Sequence, residues 1–229
     1  MRGVRRPVVI AAIATITVGT VGTVGTVAWC SAAVHAQAAP TQLPLLVHTA
    51  QVAGRAVAPA EFIADRIARA NQIYAPYGVA FVATGQRKLA DEHARLVTRE
   101  DRDALGGEVE RGVIDCFVVE SLGDVDEPGR VRRGVHWHSR THPGAHFVIV
   151  SVIAGLDVLA HELGHFLGNP GHSETPGNLM SYQRGEEQPF LDAVQIGRLQ
   201  RALRGYLRRG EVRAVGTPRV AAAPTARQR

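Results

Sequence analysis

Residues 161–182 read HELGHFLGNPGHSETPGNLMSY, and this stretch decides the fold. It opens with His-Glu-x-x-His. Helix positions four apart share a face, so the imidazoles of His161 and His165 point the same way and can chelate one zinc ion. Glu162 stands at the edge of such a metal, where a carboxylate takes a proton from an activated water. A catalytic zinc keeps three protein ligands and one open position, so a third donor is required. Gly168 is where the helix should stop, because Gly adopts the left-handed conformation that closes helix ends. Asn169, Pro170 and Gly171 continue the break, and Pro170 does not extend a helix. The chain must then turn back over the helix end, which makes His172 the candidate third ligand. Glu174, Glu186 and Glu187 are alternatives that would complete a two-histidine site from downstream.

These residues resemble the metzincin clan of zinc peptidases, whose pattern is H-E-x-x-H-x-x-G-x-x-H followed by a Met-containing turn. His161, Glu162, His165 and Gly168 match position by position. The third His departs: the pattern puts it at Gly171, and here it is His172. One extra residue is absorbed as a bulge at the turn dipeptide Pro170-Gly171. Ser173 and then Leu179-Met180 follow His172 much as in matrix-metalloprotease-like members, which restores the register. The resemblance implies that Met180 forms an apolar floor under the histidines and is not a ligand. It also puts Tyr182 where astacin-like and serralysin-like members carry a Tyr that ligates zinc or stabilises an oxyanion. A packed, satisfied Tyr is the other reading of that position. The implied activity is that of a secreted zinc-dependent endopeptidase, a monomer acting on peptide or protein substrates. Two other readings stand beside it. One is a zinc-binding adhesion or partner-binding module that no longer cleaves, suggested by the displaced His172; the other is a zinc peptidase with a downstream Glu as third ligand.

The flanking pattern gives alternating elements of an α+β fold. Strands are expected at Leu43–Val52, Val79–Ala83, Val113–Val119, Val135–Ser139 and His146–Val152. Helices are expected from Pro59 to about Ala75, from Thr98 to Gly107, through the zinc motif with Asp157 in its first turn, and from Phe190 to Leu207. This order resembles a metzincin-like zincin: a mixed twisted sheet with a backing helix and an active-site helix, then a small C-terminal subdomain ending in a helix. In that family an edge strand above the zinc helix pairs with extended substrate, and Val135-His136-Trp137-His138 is the candidate.

The ends read differently from the body. Arg2, Arg5 and Arg6 precede an uncharged, mostly apolar run from Val8 to Trp29, and Ala36-Gln37-Ala38 fits a small-x-small cleavage site. Residues 1–38 are therefore expected to be a signal peptide, with a membrane anchor at 8–29 as the alternative, and 39–210 the catalytic domain. Residues 211–229 are expected to be an Arg-rich, disordered tail. From Arg201 onward there are eight Arg and one Glu, a surplus of +7, whereas 39–200 hold 15 basic and 20 acidic residues, a deficit of −5. The overall charge of +5 thus belongs to the ends, and an acidic body argues against nucleic-acid binding. Membrane contact is expected only if the N-terminal segment is retained. Cys30 and Cys116 are the only cysteines, so the mature chain makes no internal disulfide. His136, His138, His142 and His146 form a second cluster that reads as loop and rim histidines, since His-x-His on a strand shares a face but makes no pocket by itself; the resemblance offers a structural zinc site as the alternative, because some metzincins hold one in a loop at this point. Asp124, Asp126 and Glu127 beside Gly129 read as a solvated acidic loop, with calcium as the alternative.

Overall fold

The structure, a computed structural model, describes residues 39–183 and 185–216. The expected signal peptide and the end of the basic tail, 217–229, lie outside the described residues. Five principal strands form one twisted sheet: β1 (Thr41–Val52), β2 (Val79–Leu89), β3 (Ile114–Val119), β4 (Gly134–His138) and β5 (His146–Ser151). Their spatial order is β2-β1-β3-β5-β4, and the two-residue strand Arg55–Ala56 completes the sheet beside β1. β1, β2, β3 and β5 are parallel; β4 runs antiparallel against β5 at one sheet edge, and Arg55–Ala56 runs antiparallel against β1. The helices are α1 (Ala60–Tyr74), α2 (Arg99–Ala104), α3 (Val158–Phe166) and α4 (Ala193–Arg209). The fold is the expected α+β arrangement.

Parallel strands need cover on both faces, and β3 shows it, because every one of its residues is buried. Cys116 and Val118 join the core that α1, α3 and α4 close, while Phe117 and Val119 join a second core with Leu96, Leu105, Leu122 and Phe147. The same alternation governs β4: Val135 and Trp137 pack on the second core, and the ring of His136 meets Phe166 of α3.

Several boundaries differ from the sequence reading, each for a tertiary reason. β2 runs on to Leu89 because parallel pairing with β1 continues from Leu46↔Gly85 to Ala50↔Leu89 across a bulge. α4 begins at Ala193, because Asp192 caps it: its carboxylate accepts from Gln195 N–H at 2.8 Å while Gln195 Oε1 accepts from Asp192 N–H at 2.9 Å. Asp157 sits at the start of α3 without capping it; its carboxylate accepts from Arg69 Nε of α1 at 2.7 Å. Residues 211–216, expected in the disordered tail, are ordered. Val212 is buried, and Arg213 and Val215 donate backbone N–H bonds to Gly112 and Gln42, so 211–216 are packed on the body. Among the described residues no helix is long and apolar enough to cross a membrane.

Candidate metal centre

α3 carries His161 and His165 on one face, as their spacing requires. The helix stops at Gly168, whose φ of +91° only Gly adopts without strain. The chain then doubles back: Ser173 donates its N–H to Met180 O at 2.9 Å, which brings His172 over the helix end. His165 Nε2 lies 3.1 Å from His161 Nε2 and 3.3 Å from His172 Nε2. Donor atoms of the three residues all fall within 4.8 Å of one another. Ligands sharing a tetrahedral zinc at ~2.05 Å sit about 3.3 Å apart, so the donor set and its spacing fit zinc. Glu174, Glu186 and Glu187 are not part of this donor group.

The second nitrogen of each helix imidazole fixes its tautomer. His161 Nδ1 is 2.7 Å from Leu179 O, and His165 Nδ1 is 2.6 Å from Asn169 O. A carbonyl only accepts, so both Nδ1 atoms carry the proton and both Nε2 atoms present lone pairs. Burial lowers His165 and His172 below the ordinary imidazole range, which favours the neutral form that ligates. Two lone pairs facing each other across 3.1 Å repel, and a cation between them removes the repulsion.

Glu162 is buried beneath β4. Its carboxylate accepts the backbone N–H of His136, and burial pushes its pKa up to about 8. Tyr182 is exposed, with its ring 4.3 Å from that of His172 and 6.0 Å from that of His161. Met180 is fully buried beneath α3. A Cβ at Gly164 would come within 2.5 Å of Met180 Sδ, so the floor reaches the helix only because position 164 is Gly. His136, His138, Glu162, His165, His172 and Tyr182 all line one cleft of about 580 Å³.

Three supports of this site were missed in the sequence. At Gly134, a Cβ would come within 2.6 Å of Val158 Cγ1 and 2.9 Å of Glu162 Cγ, so Gly alone lets β4 lie this close to α3. The carbonyls of Leu179 and Asn169 orient the histidines and carry no sequence signal. Asn178 and Gln195, both buried, exchange amide bonds of 2.8 and 3.1 Å and hold the loop that presents Leu179. Asp192-x-x-Gln195 is a readable capping pattern and could have pointed to this pair.

The other two clusters part company. In the acidic loop every carboxylate has an arginine: Asp124 with Arg132 at 2.7 Å, Asp126 with Arg99, and Glu127 with Arg130 at 2.8 Å. The charge of that loop is balanced by these arginines. The rim histidines are a different matter. His136, His138 and His146 bring their donor atoms within 4.8 Å of one another, correcting the expectation that they make no pocket. His142 stays apart, hydrogen-bonded near Ser139 and Thr141.

No protein-family model and no curated protein matches the chain. Solved structures do. Mirolysin in complex with compound 9 superposes with a TM-score of 0.54 at 11% identity, over 76% of this chain and 99% of that one. Mature mirolysin of Tannerella forsythia with a cleaved peptide gives 0.51 at 12%, with the same coverage. Archaemetzincin from Methanopyrus kandleri gives 0.49 at 18%, over 72% and 96% of the two chains. Metalloproteinase-II from Bacteroides fragilis also matches, at 0.49 and 13%, over 73% of this chain; the chain spans only 55% of its length. At these identities the likeness to mirolysin is one of fold.

Proposed function

The chain has the fold of metzincin-type zinc metalloproteases, and on that premise we propose that it is a zinc-dependent endopeptidase, exported by its N-terminal segment. The observation that carries this reading is the convergence of three Nε2 atoms, His165 lying 3.1 Å from His161 and 3.3 Å from His172, with the Nδ1 of His161 and of His165 each against a carbonyl on the far side of its ring. His161, His165 and His172 hold the metal. When bound, zinc supplies Lewis-acid activation of a water and of the scissile carbonyl. Glu162 takes the proton from that water and returns it to the leaving amine. Its raised pKa suits both halves of that exchange, because a base working near neutral pH must also be a competent acid. The His136 N–H aims the carboxylate. Tyr182, beside His172 at the cleft mouth, donates its hydroxyl to the oxyanion.

The substrate is an extended peptide. β4 has β5 on one side and an open edge on the other, and an open edge takes a further strand through its backbone groups. A cleft open along that edge accommodates chain on both sides of the cut, which is what internal cleavage requires. The test is zinc content and peptide-library cleavage by wild type and His172→Ala. Wild type should hold zinc and cleave within peptides, and the variant should lose both. A metal-replete wild type that leaves every library peptide intact would sink the proposal.

A further inference from the structure

We propose that the outer face of α4 is a docking surface for a membrane rich in anionic phospholipid. Between Ala193 and Arg209 the helix carries five Arg and no Lys, His, Asp or Glu. Its inner side belongs to the body: Leu199 and Leu203 are buried, and Ile196, Tyr206 and Leu207 pack on the same core. Val194, Arg198, Arg201, Arg204 and Arg208 follow one another at spacings of three and four, so they share the opposite face. All four of these Arg are exposed, and so is Val194. Arg209 pairs with Glu211 at 2.7 Å; among the described residues none of the other four has an ion-pair partner.

A solvated helix face ordinarily mixes signs, because like charges three or four residues apart weaken the helix. α4 carries that repulsion along its whole outer face, from Arg198 to Arg208, a length of ~15 Å. Charge complementarity calls for an anionic partner, and shape selects among anions. The body, 39–200, holds 15 basic and 20 acidic residues, so a polyanion wrapping around it is repelled, whereas a plane touches one convex helix face and stays clear. Guanidinium groups bind phosphate oxygens in pairs, and an apolar residue among them, here Val194, suits the boundary between headgroup and acyl chain. The chain's ends add to the same field. Val215 N–H donates to Gln42 O at 2.9 Å, so the two terminal stretches join the body side by side. Residues 1–41 and 217–229 hold three Arg each and no acid. Tyr206, on the inner side of α4, lines the cleft, so a surface lying on the arginine face leaves the cleft open.

The experiment sediments the full chain with vesicles of phosphatidylcholine alone and of phosphatidylcholine with phosphatidylglycerol, at low and at high salt. It needs neither zinc nor turnover, so its outcome is separate from that of the peptidase reading. Binding to the neutral vesicles reports the apolar N-terminal run, and the gain on adding phosphatidylglycerol reports the basic surface. Each Arg at an anionic surface is worth about fivefold in partition. Arg201→Gln/Arg208→Gln should therefore cut the gain about 30-fold, and Arg198→Gln/Arg201→Gln/Arg204→Gln/Arg208→Gln about 10²–10³-fold. Lys at the same four positions keeps the charge and should keep most of the gain, which should fall with salt in every form that shows it. Circular dichroism reports that the fold of each variant is kept. No gain in wild type overturns the proposal. So does a gain that both Gln variants keep, which assigns it to the terminal arginines. Binding to duplex DNA or self-association that the Gln variants lose, without any gain on anionic vesicles, overturns it as well and gives the face to that occupant.

Discussion

The two histidine clusters share helix α3 and are held in opposite ways. His161 and His165 are fixed from behind: each Nδ1 lies against a carbonyl, so the orientation of each ring is set before any metal arrives. His136, His138 and His146 are placed by strand register and steadied by the Phe166 ring, and their one ring-nitrogen bond is to each other. The helix-and-loop cluster is preset electronically, the strand cluster sterically. Partners behind the ligand raise its basicity as well as orienting it, so the first cluster is the one prepared to hold zinc tightly. Glu162 stands between them, with its side chain on α3 and its carboxylate bonded to the backbone of β4.

The sharpest way to test that division is to alter Glu162. Glu162→Gln should lower cleavage by about 10²–10⁴-fold, the range set by losing a general base. Zinc content at the first cluster should stay at the wild-type level. Ordinary turnover in this variant would mean that the carboxylate joining the two regions does no chemistry.

A second effect concerns pH in the metal-free chain. Burial raises Glu162 from 4.5 to about 8, so the folded state binds this proton more tightly than the unfolded state does. The contribution to stability is full below about pH 4.5 and is lost as pH rises through 8. It amounts to a few kcal/mol at ~1.4 kcal/mol per unit. Denaturation of the metal-free protein from pH 4.5 to 9 should show this decline, and Glu162→Gln should flatten it. An identical slope in both forms would assign the decline to other groups.

Smaller still is the effect of separating the two regions mechanically. Gly134→Ala puts a methyl against Val158 and Glu162, which should cost ~1–3 kcal/mol in overpacking. Turnover should fall with it, because β4 must lift from the carboxylate that it aims. Wild-type melting and turnover would show that the strand has slack there. Gln195→Ala should cost ~1–3 kcal/mol by leaving the buried Asn178 amide unpaired and should lower zinc affinity of the first cluster. Unchanged zinc affinity would show that the loop presenting Leu179 is held without this pair.

What was legible in the sequence was what local pattern fixes. The helical spacing of His161 and His165 and the stop at Gly168 needed only the chain's own periodicity, and the structure has both. The order of strands followed from apolar runs that must be buried. The missing parts all join residues far apart in the chain. Asp157 reads as a first-turn acid favoured by the helix dipole until Arg69 is seen beside it. His136 and His138 read as rim residues because nothing local says that His146 returns in register beside His138. Gly134 looks like any loop glycine until α3 lies under it. β2 was read short because polar residues from Thr84 break its apolar pattern, although pairing with β1 continues.

The Asn178–Gln195 pair has a consequence for the order in which the chain is made. Every ligand that we assign to the first metal centre has been synthesised by residue 172. The carbonyl that turns His161 belongs to Leu179, and the loop presenting it is tied down only when Gln195 arrives at the start of α4. A nascent chain therefore carries the full set of ligands for more than twenty residues before it has the clamp that aims them. A fragment ending at residue 190 would keep every ligand and lack that clamp, so the competence of the centre is timed by the last helix of the domain.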